Sequence, residues 1–163
     1  MAEHVHLTLN LEKQGKVKGE STQESLGRKD TVECFYFEYQ VEAAFDPSTQ
    51  VITGRRRHSP IIVRKAIDLA SPLLLQAITT NEKVKDATFQ FFRSSRSGDG
   101  TTEQFYTVKI KNGNIASVKQ ILPDTKEEHD VHEYEEVMFT FQDIEWRHET
   151  GKTSAADSWK EGK

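Results

Sequence analysis

An alternation of apolar and polar residues at a period of two constrains the fold of this chain more than any other feature. It is clearest near the N-terminus, where every second residue is apolar: Val5, Leu7, Leu9 and Leu11. Successive side chains of a β-strand point to opposite faces, so the pattern predicts a strand with one buried face. Comparable patterns predict further strands at residues 31–45, 61–69, 84–93, 104–111, 115–121 and 137–149.

The connections between these strands follow from turn residues. Residues 12–30 contain three glycines among polar residues and are expected to be irregular. The segment 112–114, Asn-Gly-Asn, predicts a hairpin between the strands at 104–111 and 115–121. Both faces of the strand at 31–45 carry apolar or aromatic residues, so both are expected to be covered. In the final strand the apolar residues change from one face to the other, and a bulge near Gln142 or Asp143 would account for that change.

One short helix is predicted after the third strand. Ser71 is a natural N-cap residue, and Pro72 suits the first helical position, where its missing N–H costs nothing. Asn81 suits a left-handed stop. About eight strands and one short helix predict a mainly β fold, a two-sheet antiparallel β-barrel or sandwich with the α-helix on its flank. The length of 163 residues suits one domain, 1–163.

Composition excludes several kinds of protein. The one cysteine, Cys34, rules out an internal disulfide and a multi-cysteine zinc site, and it is interpreted as a small strand residue. The N-terminus lacks the basic and apolar regions of a signal peptide, and no segment approaches the roughly 20 apolar residues that span a bilayer. We therefore expect a protein made in the cytoplasm without a signal peptide and without membrane insertion.

No motif of a catalytic or cofactor site is present, so no catalytic, cofactor-binding or metal-binding residue is predicted. His129 and His132 could bind a metal only if a third ligand approached, and a solvated loop is the simpler interpretation. Glu135 and Glu136 are neighbours in a strand and are interpreted as surface charges. A hydrolase in residues 129–136 is the weakest alternative.

Two segments of opposite charge stand out. Residues 46–60 read as a long polar loop that carries Arg55, Arg56, Arg57 and His58, and residues 124–136 carry seven carboxylates against one lysine. Long loops in compact domains usually have a function. The net charge of -4 and the lack of aromatic residues to spare from the core argue against nucleic acid. Head-to-tail self-association would pair the two segments, but the charge pattern alone leaves open two merely solvated loops.

Four segments taken together resemble the haemolysin-coregulated protein (Hcp) family, the tube proteins of bacterial type VI secretion. They are KVKGES at 16–21, HSP at 58–60, VRKAIDLASPLL at 63–74 and FQDIEW at 141–146. The most specific parts are the Asp-x-x-Ser-Pro start of the helix and the late tryptophan strand, which a glycine-containing tail and a final tryptophan follow. The similarity runs from about Val5 to Trp159. The acidic residues 124–136 have no fixed counterpart in the family.

The resemblance implies a β-barrel with one flanking helix that assembles as a homohexameric ring. Such rings stack into a tube that a contractile sheath expels behind a spike protein, with effectors carried in the lumen and nothing catalysed. The long loop at 46–60 matches the extended loop that reaches a neighbouring subunit or ring, which makes an oligomer interface of Asp46, Gln50, Arg55, Arg56, Arg57 and His58. Residues 150–163 are expected to form a C-terminal tail that Trp159 anchors. The alternative is a small β-barrel module that binds a ligand or nucleic acid.

Overall fold

Antiparallel strands make up most of the protein in the computed structural model, which describes residues 3–127, 129–130 and 132–159. The described residues form eleven strands, one α-helix and a short 3-10 turn at Ser25–Gly27. In chain order these elements are β1 (Val5–Leu11), β2 (Gly15–Val17), β3 (Val32–Glu38), β4 (Val41–Phe45), β5 (Ile52–His58), β6 (Ile61–Lys65), α1 (Ser71–Thr79), β7 (Lys83–Ser94), β8 (Thr102–Ile121), β9 (Tyr134–Thr140), β10 (Asp143–His148) and β11 (Thr153–Ser158).

Six strands close into a barrel. They pair in the order β8-β7-β1-β3-β6-β9, and β9 pairs again with β8, so each strand of the ring has a partner on both sides. β2 pairs with β1 as a short additional strand. β10 pairs with β8, and β11 pairs with β10, so these two strands form an extension of the sheet outside the barrel. The predicted mainly β, antiparallel architecture with one short helix is confirmed.

The long strand β8 connects the barrel to the two-stranded extension formed by β10 and β11. Its first half pairs with β10, and its second half pairs with β9 from Asn114↔Thr140 to Ile121↔Tyr134. The hairpin predicted at residues 112–114 is therefore wrong, because the chain runs straight through and only changes partner. Gly113 is needed there: a Cβ at this position would lie 2.1 Å from the carbonyl oxygen of Thr140.

Other predicted strand bounds also change where the chain changes partner. The strand expected at 31–45 divides into β3 and β4, and the strand expected at 61–69 ends at Lys65. The strand expected at 137–149 divides into β9 and β10 next to the predicted irregularity at Gln142, whose N–H donates to the carbonyl of Lys111. Residues 12–30 are not wholly irregular, because they include β2 and the 3-10 turn.

Large apolar side chains occupy the barrel interior. The alternation predicted in β1 is confirmed, since its four apolar residues are all buried. Leu9, Ile61, Phe89 and Phe139 are fully buried, and the rings of Phe89 and Phe139 meet edge to face with centroids 5.7 Å apart. A core filled in this way counts against the alternative of a ligand held inside the barrel.

The helix α1 lies where the sequence predicts, but Ser71 does not cap it. Ala70 precedes the helix, and Ser71 is its first residue. The Ser71 hydroxyl accepts a hydrogen bond from the N–H of Asp68 at 3.0 Å and donates one to Glu135 Oε1 at 2.7 Å. Asn81 follows the helix with a φ of 53°, the predicted left-handed stop.

A buried ion pair fastens this helix to the barrel. Lys65 on β6 and Glu135 on β9 pair across the two strands, and both are fully buried with Nζ and Oε1 2.5 Å apart. Asp68 lies 2.8 Å from the same ammonium. The interpretation of Glu135 as a surface charge is therefore wrong: a strand neighbour of an exposed residue points inward, and this one finds a lysine there. Glu136 does face outward and pairs with Arg64 at 3.1 Å.

Candidate functional site

β4 and β5 form a two-stranded antiparallel ribbon of their own, outside the barrel sheet. We call residues 41–58 the arm. Val41 pairs with His58 at its base, and Phe45 pairs with Ile52 next to the turn. Seven of the fifteen residues predicted as the polar loop 46–60 thus form the strand β5, and residues 46–51 form the turn that joins it to β4. This strand could not be predicted from the sequence because most of its residues are exposed on both faces. Neither face therefore needs apolar residues at every second position.

The turn is built by two of the predicted site residues. The carboxylate Oδ1 of Asp46 accepts hydrogen bonds from the backbone N–H and the hydroxyl of Ser48, at 2.8 and 2.7 Å. These bonds hold the pKa of Asp46 below its usual value. Gln50 takes a left-handed conformation, with a φ of 62°, and its N–H donates to the carbonyl of Asp46 at 2.8 Å. Asp46 and Gln50 therefore shape the tip of the arm.

The three arginines have different surroundings. Arg56 donates two hydrogen bonds to Asp157 on β11, from Nε to Oδ2 at 2.5 Å and from Nη2 to Oδ1 at 2.8 Å. Arg57 pairs with Glu42 across the ribbon. Arg55 is exposed, and none of the ion pairs among the described residues includes it. Arg55 is therefore the arginine best placed to meet a charge on another molecule.

His58 sits at the base of the arm and its side chain is only 4% exposed. Its Nδ1 lies 2.6 Å from the Tyr39 hydroxyl, and its Nε2 lies 2.6 Å from Asp157 Oδ2. Burial raises the pKa of Tyr39, so the phenol keeps its proton, and Nε2–H of His58 donates to the ionised Asp157 carboxylate, which can only accept. The Arg56 guanidinium first, and then His58, hold the pKa of Asp157 well below its usual range.

Aromatic rings enclose this histidine. The Trp146 and Tyr39 rings stack with the imidazole. The Phe141 and Trp159 rings make T-shaped contacts with it, at centroid distances of 5.6 and 5.2 Å. The N–H of Trp159 also donates to the carbonyl of Gln142 at 2.9 Å. Trp159 thus anchors the tail, as the sequence predicts, and it does so on the arm.

We call Tyr39, Arg56, His58, Asp157 and Trp159 the base clamp. It joins Tyr39, which directly follows β3, to the arm and to the C-terminal strand, so the base of the arm is fixed to the barrel. The sequence predicted Arg56 and His58 as residues that contact another copy, and it gave no sign of their partner in the same chain, Asp157, about 100 positions away. Only the final tryptophan signalled that the tail returns to the barrel.

The arm also exposes apolar surface. Val41, Phe45, Val51 and Ile52 are large apolar side chains in or next to its strands, and Val51 and Ile52 are 58% and 61% exposed. Clustered exposed apolar residues mark surfaces that contact another protein. A thin two-stranded ribbon has no second layer of its own to cover them.

Other chemistry has little support in the described part of the chain. No group of three or more histidine, cysteine or acidic side chains there is arranged to hold a metal, and His129 and His132 are exposed. Burial raises the pKa of Cys34 to about 12, so its thiol is a poor nucleophile. None of the described helical segments is long and apolar enough to cross a bilayer.

Comparison with known proteins agrees with the similarity seen in the sequence. The family model described as "Type VI secretion system effector, Hcp" matches residues 8–148. The chain belongs to the Hcp family. It is 32% identical to the "Major exported protein" of Pseudomonas aeruginosa, over 98% of this chain and 97% of that protein.

Solved Hcp structures share the fold. One described as an Hcp protein superposes with a TM-score of 0.86 at 24% identity, covering 98% of this chain and 99% of the other. A variant of Hcp1 from E. coli EAEC 042 gives a TM-score of 0.82 at 26% identity, covering 96% and 98%. Hcp3 from Pseudomonas aeruginosa gives 0.74 at 26% identity, covering 98% and 99%.

Family membership confirms the prediction of a type VI secretion tube protein. This Hcp protein is a structural tube protein of a type VI secretion system, secreted through that system, and it is not an enzyme.

Proposed function

We propose that this Hcp protein assembles into six-subunit rings, that the rings stack into a tube, and that the arm carries the contact between copies. Such a tube would be expelled by a contractile sheath behind a spike protein and could hold effectors in its lumen. The family supports self-association as the basis of a tube. The observation that carries the role of the arm is a rigidly based ribbon with an exposed apolar tip.

The base clamp supports this role in a specific way. An arm that swung freely would lose conformational entropy on docking, which weakens an interface. Here the Asp157 carboxylate pairs with both Arg56 and His58, and the Trp159 ring makes a T-shaped contact with the imidazole. The arm is therefore held in one orientation before it meets a partner. Asp46 and Gln50 contribute through the shape of the turn, and Arg55 through its exposed charge.

Negative-stain microscopy and native mass measurement test the assembly itself. We expect rings of six copies at high protein concentration, with stacks favoured as the rings are concentrated. A protein that stays monomeric at high concentration and low salt, with no ring visible, would contradict the proposal.

The variant Ile52→Ser tests the arm. Its side chain is 61% exposed, so the change should alter the free energy of unfolding by about 0.5 kcal/mol or less. Assembly should nevertheless weaken, because an apolar contact between copies is lost. Leu26→Ser is the matched control, an exposed leucine outside the arm. Equal assembly of both variants and the natural protein would show that the arm is not the contact.

A further inference from the structure

A second exposed apolar surface lies at the opposite end of the strands that carry the arm. Ile61, which follows the arm, pairs with Phe139, whereas Lys65 at the other end of β6 pairs with Glu135. At that far end, large apolar side chains stay exposed, namely those of Phe35, Ile67, Leu69 and Leu122. Exposed apolar side chains are thus grouped at this end as well as on the arm.

Phe35 and Leu122 flank one aromatic ring. The Phe35 ring meets Tyr134 edge to face with centroids 6.2 Å apart. Leu122 is 69% exposed and directly follows Ile121, the residue paired with Tyr134. The Arg64 guanidinium lies over the same Tyr134 ring, 5.8 Å from its centroid. Because Arg64 is also paired with Glu136, this part of the surface is firmly held.

Acidic side chains border this surface. The chain between Leu122 and Tyr134 exposes four described carboxylates, those of Asp124, Glu127, Asp130 and Glu133. Lys126 is the basic residue among them. Glu135 and Glu136 do not add to this outward charge, since Lys65 and Arg64 are their partners. We call Phe35, Leu122, Tyr134 and the four carboxylates the acceptor end.

The arm is the complement of the acceptor end in both respects. It exposes Phe45, Val51 and Ile52 beside its turn, and it exposes the charge of Arg55, whereas Arg56 and Arg57 already have acidic partners in their own subunit. Apolar contact would supply the affinity, and the opposite charges would steer the encounter and set its register.

We propose that the arm of one copy docks on the acceptor end of a second copy. The arm leaves its own subunit from the other end of β6, so the contact is head to tail and repeats from copy to copy. This inference rests on the proposed self-assembly and adds the surface that receives the arm. It places Val51 and Ile52 against Phe35 and Leu122.

Cross-linking between two different single-cysteine additions tests the contact. A Val51→Cys protein is mixed with a tagged Leu122→Cys protein and treated with a short bis-maleimide, so any mixed dimer joins two copies. The natural Cys34 does not interfere, because it is fully buried. The control replaces the acceptor partner by Lys85→Cys, an exposed position on β7. We expect several-fold more mixed dimer with Leu122→Cys, and a yield no higher than the control would overturn the assignment.

Charge reversal gives an independent test. Arg55→Glu should reduce the assembled fraction several-fold at low salt, and Glu127→Lys with Glu133→Lys in the same chain should restore it. Absence of any restoration contradicts the pairing of these charges. The natural protein is examined in the same buffer: if it assembles while both tests fail, only the acceptor end is wrong, and if it does not assemble, the proposed function fails as well.

Discussion

The buried Lys65 offers the sharpest test of how this barrel is held together. Its ammonium lies within 3.2 Å of four oxygen atoms, which belong to Glu135, Asp68, Ala66 and Ser71. Replacing it by methionine keeps most of the volume but leaves the fully buried Glu135 carboxylate without its cation. Breaking a buried pair from one side costs about 3–5 kcal/mol, so we expect Lys65→Met to lose that much of the free energy of unfolding.

The neighbouring pair on the same two strands is a built-in control. Arg64 and Glu136 occupy the next register position, but the Arg64 side chain is 40% exposed. Exposed pairs contribute about 0–1 kcal/mol, so Arg64→Met should cost about 1 kcal/mol or less. Urea unfolding followed by tryptophan fluorescence measures both variants. They are compared at one protein concentration, because self-association adds to apparent stability.

For a chain of this length, a loss of about 3–5 kcal/mol lowers the melting temperature by about 6–20 °C. The double variant Lys65→Met with Glu135→Met removes both charges and should recover at least half of that loss, because no buried charge is left unpaired in this pair. Our reasoning would be refuted if Lys65→Met were no more destabilising than Arg64→Met, or if the double variant were worse than the single one.

Three further predictions concern other parts of the fold. The pKa of Asp157 is lowered, first by Arg56, so its ionised form contributes stability that is present above about pH 4 and is lost as pH falls through the folded-state pKa. Asp157→Asn should therefore show a smaller decrease in the urea midpoint between pH 5 and pH 3 than the natural protein. An equal decrease in both proteins would contradict this. Gly113→Ala should destabilise the barrel by about 1–3 kcal/mol, because the added Cβ meets the Thr140 carbonyl, and a neutral result in thermal unfolding would count against the close approach. Cys34 should fail to react with a thiol reagent at pH 8 in the folded protein and react fully in denaturant; rapid reaction in the folded state would be inconsistent with its burial.

The predicted strands were most reliable where burial imposed a pattern. In β1 one face lies against the core, so apolar residues at every second position were required and the strand was found with its true bounds. β5 is a strand of the same length, but most of its side chains are exposed, so nothing in its composition distinguishes it from a polar loop. Residues 46–60 were recognised as an unusual segment, but the prediction that they form a polar loop throughout was wrong.

Partner changes were invisible in the sequence. An Asn-Gly pair usually favours a hairpin turn, yet at Asn112 and Gly113 the strand continues, because β10 and β9 lie end to end along one edge of β8. Local preference for a turn was overridden by the long-range pairing on both sides. The same pairing decides that Gly113 must approach Thr140 closely.

The sequence by itself determined the mainly β class, the position of the helix and the family, because buried faces and a few ordered motifs leave local marks in the chain. Only the tertiary structure decided which charges meet. It placed Glu135 beside Lys65 in the interior and Asp157 beside Arg56 and His58 at the base of the arm. Charge pairing depends on how distant strands come together, and neither the type of a residue nor its immediate neighbours specify that.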